Sequence, residues 1–178
     1  MQHREWVLAA VREHEGALLA YATRFAGTTD RARDAVQETF LRLCKQERER
    51  LADRLAPWLF AVCRNLLRDE QRKEHRMSLA PAADLDARPD PVRGPSEAAE
   101  LAETNTRVQR QLARLSDSEQ EVIRLRFQNG FSYKEIAEVT GHSVGNVGFL
   151  LHNGLKRLRE LVVGPSLSGP LSAARPLA

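Results

Sequence analysis

The stretch that decides the fold is residues 132–160, which read SYKEIAEVTGHSVGNVGFLLHNGLKRLRE. Ser132 and Glu135 have the spacing of a capping box at the start of a short helix. Gly141 can end that helix because glycine tolerates a positive φ, and Ser143 can cap the longer helix that follows. The stretch therefore predicts two helices joined by a tight turn, the pattern of a helix-turn-helix.

Small and apolar residues stand where two crossing helices need them. Ala137 provides a small residue at the crossing, four positions before Gly141. Ile136 on the first helix can face Val147 and Leu150 on the second. Since an arbitrary helical hairpin would match only one or two of these five positions, we interpret the stretch as a helix-turn-helix.

The long helix of this motif has two unlike faces. At 100° per residue one face collects apolar residues within about 80°; they are Val144, Val147, Leu151, Leu155, Leu158 and Val162. Phe149 stands among polar residues on the other face, where a helix that only packs would not place it. We predict that this face reads DNA, with Phe149 against thymine methyl groups or sugar. The alternative is that Phe149 packs on another part of the protein or on a partner. The predicted DNA contacts are Ser143, Gly145, Asn146, Phe149, His152, Asn153, Lys156 and Arg157.

Composition indicates a soluble, cytoplasmic protein. Apolar residues make up 42% and charged residues 29% of the 178 residues, and no run approaches the roughly 20 apolar residues of a membrane span. The N-terminus has no secretion signal. The net charge is +3, but it is divided between two mildly basic blocks and an acidic connector. Basic blocks suit a polyanionic partner.

The chain divides at a proline-rich stretch. Residues 77–95, MSLAPAADLDARPDPVRGP, hold four of the eight prolines and no aromatic residue, which is typical of a semi-extended linker. Residues 164–178 have the same character and are predicted to be a disordered tail. The remainder has helical periodicity and no strand alternation. We predict an all-α protein with a helical domain at 1–76, the linker, and a helix-turn-helix domain at 96–163.

The first domain is predicted to contain three helices. An apolar stripe runs through residues 4–26, and Gly27 ends that helix. Thr29 or Asp30 can cap the second helix. Pro57 suits the first turn of the third helix.

Two segments of the first domain resemble region two of the sigma factors of bacterial RNA polymerase. Residues 34–43, DAVQETFLRL, look like the signature of that region, and residues 57–69, PWLFAVCRNLLRD, resemble its next helix. Residues 115–160 are similar to region four. A region-two domain, a linker and a region-four domain, without region three, form the layout of extracytoplasmic-function (ECF) sigma factors. The resemblance covers about residues 10–76 and 100–162.

The resemblance implies an alternative sigma factor. Such a protein binds core RNA polymerase, recognises the −35 and −10 promoter elements and directs initiation, usually under the control of an anti-sigma factor. The resemblance also implies that the protein is not an enzyme and uses no metal or cofactor.

In the family the second helix docks on the polymerase. Here its polar face can meet a protein partner, although a merely solvated face is the alternative. The predicted polymerase-binding residues are Asp34, Gln37, Glu38, Thr39 and Arg42. Thr39 also belongs to the predicted inward stripe of that helix.

In the family the third helix reads the −10 element. The predicted contacts are Arg64, Asn65, Arg68, Arg72, Lys73 and Arg76. The net positive charge of this helix is reduced by three acidic residues, Asp69, Glu70 and Glu74. The alternative is therefore ordinary i,i+4 pairing on a surface helix. Trp58 can stack on a flipped base or belong to the core. Residues 46–56 do not resemble the family's specificity loop, and no base pocket is assigned there.

The recognition helix departs from the family pattern. Gly148, Phe149 and Leu150 stand where the family often has Lys-Ser-Arg. We hypothesise that −35 contacts use more apolar and shape readout and fewer phosphate pairs.

Three other readings remain open. A free-standing helix-turn-helix regulator, for example a dimer on a palindrome, leaves DAVQETFLRL unexplained. A helical adaptor leaves the Phe149 face unexplained. A thiol switch would use Cys44 and Cys63 with His75, although both cysteines lie on apolar stripes and are predicted to be buried.

Overall fold

The computed structural model describes residues 2–51, 53–77 and 108–163, and within these ranges every regular element is helical. The all-α prediction is therefore confirmed. The predicted linker beyond residue 77, the start of the second domain and the tail lie outside the described residues. The helices are α1 (Gln2–Ala26), α2 (Thr29–Leu43), α3 (Arg48–Leu51), α4 (Leu55–Met77), α5 (108–112), α6 (Asp117–Phe127), α7 (Tyr133–Thr140) and α8 (Val144–Val163).

Local chemistry fixes the junction between α1 and α2. Gly27 has φ +73° and breaks the helix at the predicted position. The cap of α2 is Thr28, whose extended backbone lets its hydroxyl accept from the Arg31 N–H. The prediction of Thr29 or Asp30 as the cap was wrong by one or two residues, because both lie inside the first turn.

The polar segment between α2 and α4 is more ordered than the sequence indicates. It contains the single turn of α3, and Leu51 at the end of that turn is buried in the core. One apolar side chain among charged neighbours is thus enough to anchor the segment. Pro57 lies in the first turn of α4, as predicted.

The first domain packs α1, α2 and α4 around a common core. The largest fully buried side chains there are Leu18, Leu43, Leu59, Phe60 and Leu67. Cys63 is also fully buried.

Cys44 is exposed, and the prediction of its burial was wrong. It is the C-cap of α2, one residue beyond the end of the apolar stripe at Leu43. Its carbonyl oxygen lies 3.0 Å from His3 Nε2 at the start of α1.

The helix-turn-helix prediction is confirmed. Capping boxes begin α6 at Ser116 and α7 at Ser132. Gly141 ends α7 in the left-handed conformation, with φ 74°. Ile136 of α7 and Val147 of α8 are fully buried against each other's helices.

The crossing of α6 and α8 depends on Gly154. A Cβ atom at this position would lie 2.9 Å from Ile123 Cδ1 and 3.2 Å from Glu119 Cβ. The two helices can approach this closely only because residue 154 has no side chain.

The two domains pack against each other, which the sequence did not indicate. A row of aromatic rings crosses the boundary, with centroids 5.1 Å apart between Tyr21 and Phe60 and 5.2 Å apart between Phe60 and Phe131. Helix α4 packs along α7, and Arg54 donates to Glu138 at 3.3 Å. We call this packing the closed arrangement.

The same substitution at two glycines should separate helix propensity from packing. Gly16→Ala, in open space on α1, should stabilise the protein by up to about 1 kcal/mol because alanine favours helix. Gly154→Ala gains the same propensity but overpacks the α6–α8 crossing, at a cost of about 1–3 kcal/mol. Chemical denaturation should find Gly154→Ala less stable than Gly16→Ala by at least about 1 kcal/mol. Equal stability of the two variants would show that the crossing is looser than described.

Candidate nucleic-acid interface

Helix α8 directs its predicted DNA-reading face to solvent. Val147 and Leu151 are buried, while Phe149 is 64% exposed. The Phe149 side chain is therefore not packed on another part of the described chain. Of the other predicted contacts, Ser143, Gly145, Asn146, His152 and Lys156 are exposed and Asn153 is partly buried. Val144, assigned to the apolar side, is exposed as well because it begins the helix.

Two residues beside this face were missed by the sequence reasoning. The Arg126 guanidinium carbon lies 5.8 Å from the centre of the exposed Tyr133 ring, and its Nη1 donates to the Phe131 carbonyl at 3.0 Å. A Cβ at Gly148 would lie 3.6 Å from the Tyr133 ring, so the ring adjoins α8. A cation and an aromatic ring thus extend the surface, brought there by the turn between α6 and α7.

Arg157 has a structural contact in addition to its predicted one. Its guanidinium donates to Glu119 at 3.2 Å and so ties α8 to α6. Burial by itself would raise the pKa of Glu119, but hydrogen bonds from Ser116 and the charge of Arg157 outweigh it and lower that pKa. The carboxylate therefore stays charged, and Arg157 is held at the base of the recognition helix.

On α4 two of the three acidic residues turn away from the basic ones. Glu70 and Glu74 face Arg31 of α2, whose Nη1 donates to Glu74 Oε2 at 2.8 Å. Only Asp69 pairs within α4, where its Oδ1 lies 3.9 Å from Arg72 Nη1. The opposite side of α4 borders an open groove of about 420 Å³. Its lining is Arg68, Gln71, Arg72, His75 and Arg76.

The other predicted −10 residues fall into two groups, exposed and buried. Asn65 and Lys73 are exposed, as a DNA contact requires. Arg64 is nearly buried, and it forms a bidentate pair with Glu121 of α6, from Nε to Oε1 at 2.6 Å and from Nη2 to Oε2 at 3.0 Å. In the closed arrangement Arg64 therefore holds the two domains together and is not free for DNA.

Tyr21 completes this contact, and we call Tyr21, Arg64 and Glu121 the interdomain triad. The Tyr21 hydroxyl donates to Glu121 Oε1 at 2.6 Å. Burial, and then the charge of Glu121, raise the pKa of Tyr21, so its hydroxyl stays protonated. Burial acts to lower the pKa of Arg64, but its bonds to Glu121 raise it overall, so the pair stays charged.

Helix α2 exposes part of the predicted polymerase-binding face. Asp34 and Gln37 are exposed, and Arg42 donates to Glu38 at 2.9 Å on the same helix. Leu41 is 51% exposed, and the sequence reasoning missed it. A single exposed leucine is ordinary on a protein surface, but it adds apolar area beside the charged side chains of α2.

Thr39 lies on the other side of α2. It is fully buried, and its hydroxyl donates to the Ala35 carbonyl at 2.7 Å. The predicted inward stripe describes its position, and its side chain does not share the surface of Asp34 and Gln37.

The geometry does not favour a thiol switch. Burial raises the pKa of Cys63 to about 11, so its thiol is protonated at neutral pH. His75 is 12 residues further along α4, about 18 Å away at 1.5 Å per residue.

Trp58 is partly buried against the core.

The described ranges contain no cluster of three His, Cys, Asp or Glu side chains that could hold a metal ion. No described helix is long and apolar enough to cross a membrane.

These features define a helical protein with a helix-turn-helix, and comparison with known proteins identifies its family. Residues 10–77 match the model of Sigma-70 region 2, and residues 105–158 match that of Sigma-70, region 4. The ECF RNA polymerase sigma factor SigL of Mycobacterium tuberculosis is 32% identical over 150 residues, covering 83% of each chain. EcfG of Rhodopseudomonas palustris is 32% identical over 160 residues, covering 89% of this chain and 84% of its own.

Solved structures share the fold. The sigma factor RpoE from Bartonella quintana, solved with the anti-sigma factor NepR, superposes with a TM-score of 0.65 at 24% identity, over 91% of this chain and 97% of its own. CnrH, solved with the cytosolic domain of CnrY, gives a TM-score of 0.58 at 24% identity, over 92% of this chain and 91% of its own. The chain belongs to the ECF family of RNA polymerase sigma factors.

Phe149 should contribute to promoter affinity without contributing charge. Phe149→Ala should weaken binding to a −35 DNA duplex by about tenfold to a hundredfold, as expected for losing one apolar contact. The slope of log affinity against log salt should not change, whereas Lys156→Ala should reduce it by about one. Fluorescence anisotropy over a salt series measures both.

Phe127→Ala is the matched control, because Phe127 is equally exposed but lies at the end of α6. Equal losses from Phe127→Ala and Phe149→Ala would argue against a specific role of the α8 face.

Proposed function

We propose that this sigma factor binds core RNA polymerase through the exposed face of α2, reads the −10 element with α4 and reads the −35 element with α8. The observation that carries the proposal is that each of the three helices exposes a distinct polar or basic face while its apolar face is buried. The division of the chain proposed from the sequence, with a first domain at 1–76 and a second at 96–163, places these faces on two bodies.

The α2 face supports a protein partner more than a nucleic acid. Asp34 and Glu38 carry negative charge, and Leu41 adds exposed apolar surface. Negative charge repels phosphate, so this face suits the polymerase and not the promoter. Thr39 is left out of the proposed contact because it is buried.

The α4 and α8 faces support contacts with DNA. Arginines along the α4 groove can meet phosphates, and the exposed Asn65 can reach a base edge. On α8 the exposed Phe149 and His152 lie on the side that a helix-turn-helix presents to the major groove.

The closed arrangement cannot read both promoter elements at once. Their names place them about 25 base pairs apart, roughly 80 Å at 3.4 Å per base pair. A compact chain of 178 residues has a radius of gyration of about 16 Å. The domains must therefore separate for the two elements to be read together, and separation breaks the interdomain triad.

An anti-sigma factor is a natural partner for the closed arrangement. Two proteins of similar fold were solved with a bound partner: RpoE with the anti-sigma factor NepR, and CnrH with the cytosolic domain of CnrY. We infer that this chain is also held inactive by an anti-sigma factor in the cytoplasm, and that it initiates transcription with the polymerase's catalytic centre instead of its own.

The polymerase contact can be tested by charge reversal. The double variant Asp34→Lys and Glu38→Lys should weaken binding to core polymerase by about tenfold or more and abolish promoter-specific transcripts. The measurement is transcription from a library of genomic promoter fragments with purified protein and core enzyme. Glu13→Lys with Glu15→Lys makes the same charge change at exposed positions of α1 and should transcribe normally.

Retained DNA binding without any binding to core polymerase would contradict the proposal. That result would indicate a free-standing helix-turn-helix regulator.

The interdomain triad should control opening. Glu121→Gln leaves Arg64 buried without a countercharge, and removing one partner of a buried pair costs about 3–5 kcal/mol. We expect separated domains, seen as a larger radius of gyration in small-angle scattering with helical content retained, and tighter binding to promoter DNA. Tyr21→Phe removes one hydrogen bond, about 1 kcal/mol, and should open the protein less.

Glu138→Gln is the control for Glu121→Gln. It removes the more exposed pair with Arg54, which contributes little. If Glu121→Gln and Tyr21→Phe are as compact as the wild type while folded, the triad does not hold the domains together.

A further inference from the structure

The charges at the seam between the two domains do not cancel. The Arg64–Glu121 and Arg54–Glu138 pairs are each balanced. Arg24, in the last turn of α1, and Arg124 of α6 also meet at this seam, close enough for the charge of Arg24 to act on Arg124. Neither forms an ion pair with a carboxylate of the described residues. Within the described residues, the seam therefore carries two cations without a counterion.

Arg124 is buried to an unusual degree for such a cation. It is 7% exposed, and its guanidinium donates only to neutral amide oxygens, to Gln109 at 3.3 Å and Gln120 at 3.4 Å. An unpaired charge away from water is costly. Burial, and then the charge of Arg24, lower the pKa of Arg124 to about 10. Arg24 itself is exposed, and only partial desolvation lowers its pKa. Because the pKa of each arginine is lowered, the folded protein without a bound anion disfavours two positive charges at this place.

A cavity lies between the two arginines. Its volume is about 140 Å³, smaller than the roughly 300 Å³ of a site for a drug-sized ligand. Besides both arginines, it is lined by side chains that can donate from neutral groups, Gln128 and Asn129. The remaining lining is Ala17, Ala20 and Tyr21. Two guanidinium groups beside two amides offer the donor set that binds a small oxyanion.

We propose that Arg24 and Arg124 form a site for an oxyanion of the phosphate class, which bridges α1 and α6 across the domain boundary. A ligand held by both domains binds only the closed arrangement and therefore stabilises it by mass action. The site adjoins the interdomain triad, since Tyr21 belongs to both. The anion would thus favour the form in which Arg64 is not free for DNA.

Inorganic phosphate is the probe, added to the full chain at constant ionic strength with chloride as the balancing anion. Isothermal calorimetry should detect binding to the wild type, and phosphate should raise its melting temperature above that in chloride. Arg24→Gln should bind phosphate at least about tenfold more weakly, the effect of losing one charge-assisted contact. Arg33→Gln, an exposed arginine of α2, should behave as the wild type.

A second test is whether Arg24→Gln raises or lowers the stability of the protein when no phosphate is present. In chloride alone, Arg24→Gln should be at least as stable as the wild type, because it relieves repulsion of the buried Arg124. In phosphate the order should reverse. Dyes on the two domains should report a larger closed fraction with phosphate in the wild type and in Arg33→Gln, but not in Arg24→Gln.

Equal phosphate responses in the wild type and Arg24→Gln, or no response in either, would overturn the proposal. So would a stability loss in chloride when Asp84, Asp86 and Asp90 are all changed to Asn, because the chain's own carboxylates would then be the counterion. All these readouts work without polymerase. Their failure leaves the proposed promoter function standing, and a failure in transcription leaves the anion site standing.

Discussion

The carboxylate of Glu121 is the point on which the arrangement of the two domains depends. It is 4% exposed and accepts hydrogen bonds from Arg64 and Tyr21, both of the other domain. A carboxylate buried this deeply persists only where its charge is matched and its lone pairs are occupied. The aromatic contact of Phe60 with Phe131 lies along the same boundary and excludes water from it. The ion pair fixes how the two domains are oriented, and the rings contribute apolar burial at the boundary.

The same use of acidic side chains recurs through the protein and explains its surfaces. Glu74 faces Arg31, Glu119 faces Arg157, and Glu121 faces Arg64. In each case a carboxylate ties one helix to another. These three acids thus lie at contacts between helices, whereas the arginines along the α4 groove remain open to solvent. A chain with a net charge of only +3 can therefore present a strongly basic groove.

Much of the local structure could be predicted because its causes lie within a few residues of each other. Both capping boxes and the positive φ of Gly141 follow from spacing and residue type alone. The same locality explains the errors: Thr28 and Cys44 lie at helix ends, where one residue decides between cap and first turn, or between core and solvent. Thr39 fitted both an inward stripe and a family signature, and only packing showed which side of α2 it occupies.

The sequence by itself determined the helices, the helix-turn-helix and the family, because periodicity, capping and signature segments are properties of short stretches. Only the tertiary structure decided that Arg64 meets Glu121, 57 residues away, and that Tyr21 meets it across 100 residues. It also decided that Arg24 and Arg124 share a cavity. No local pattern encodes such pairs, since each depends on how two separately formed domains fit together. From the sequence alone, Arg64 is equally suited to contact DNA or to pair with the other domain, and only the position of its neighbour decides between the two.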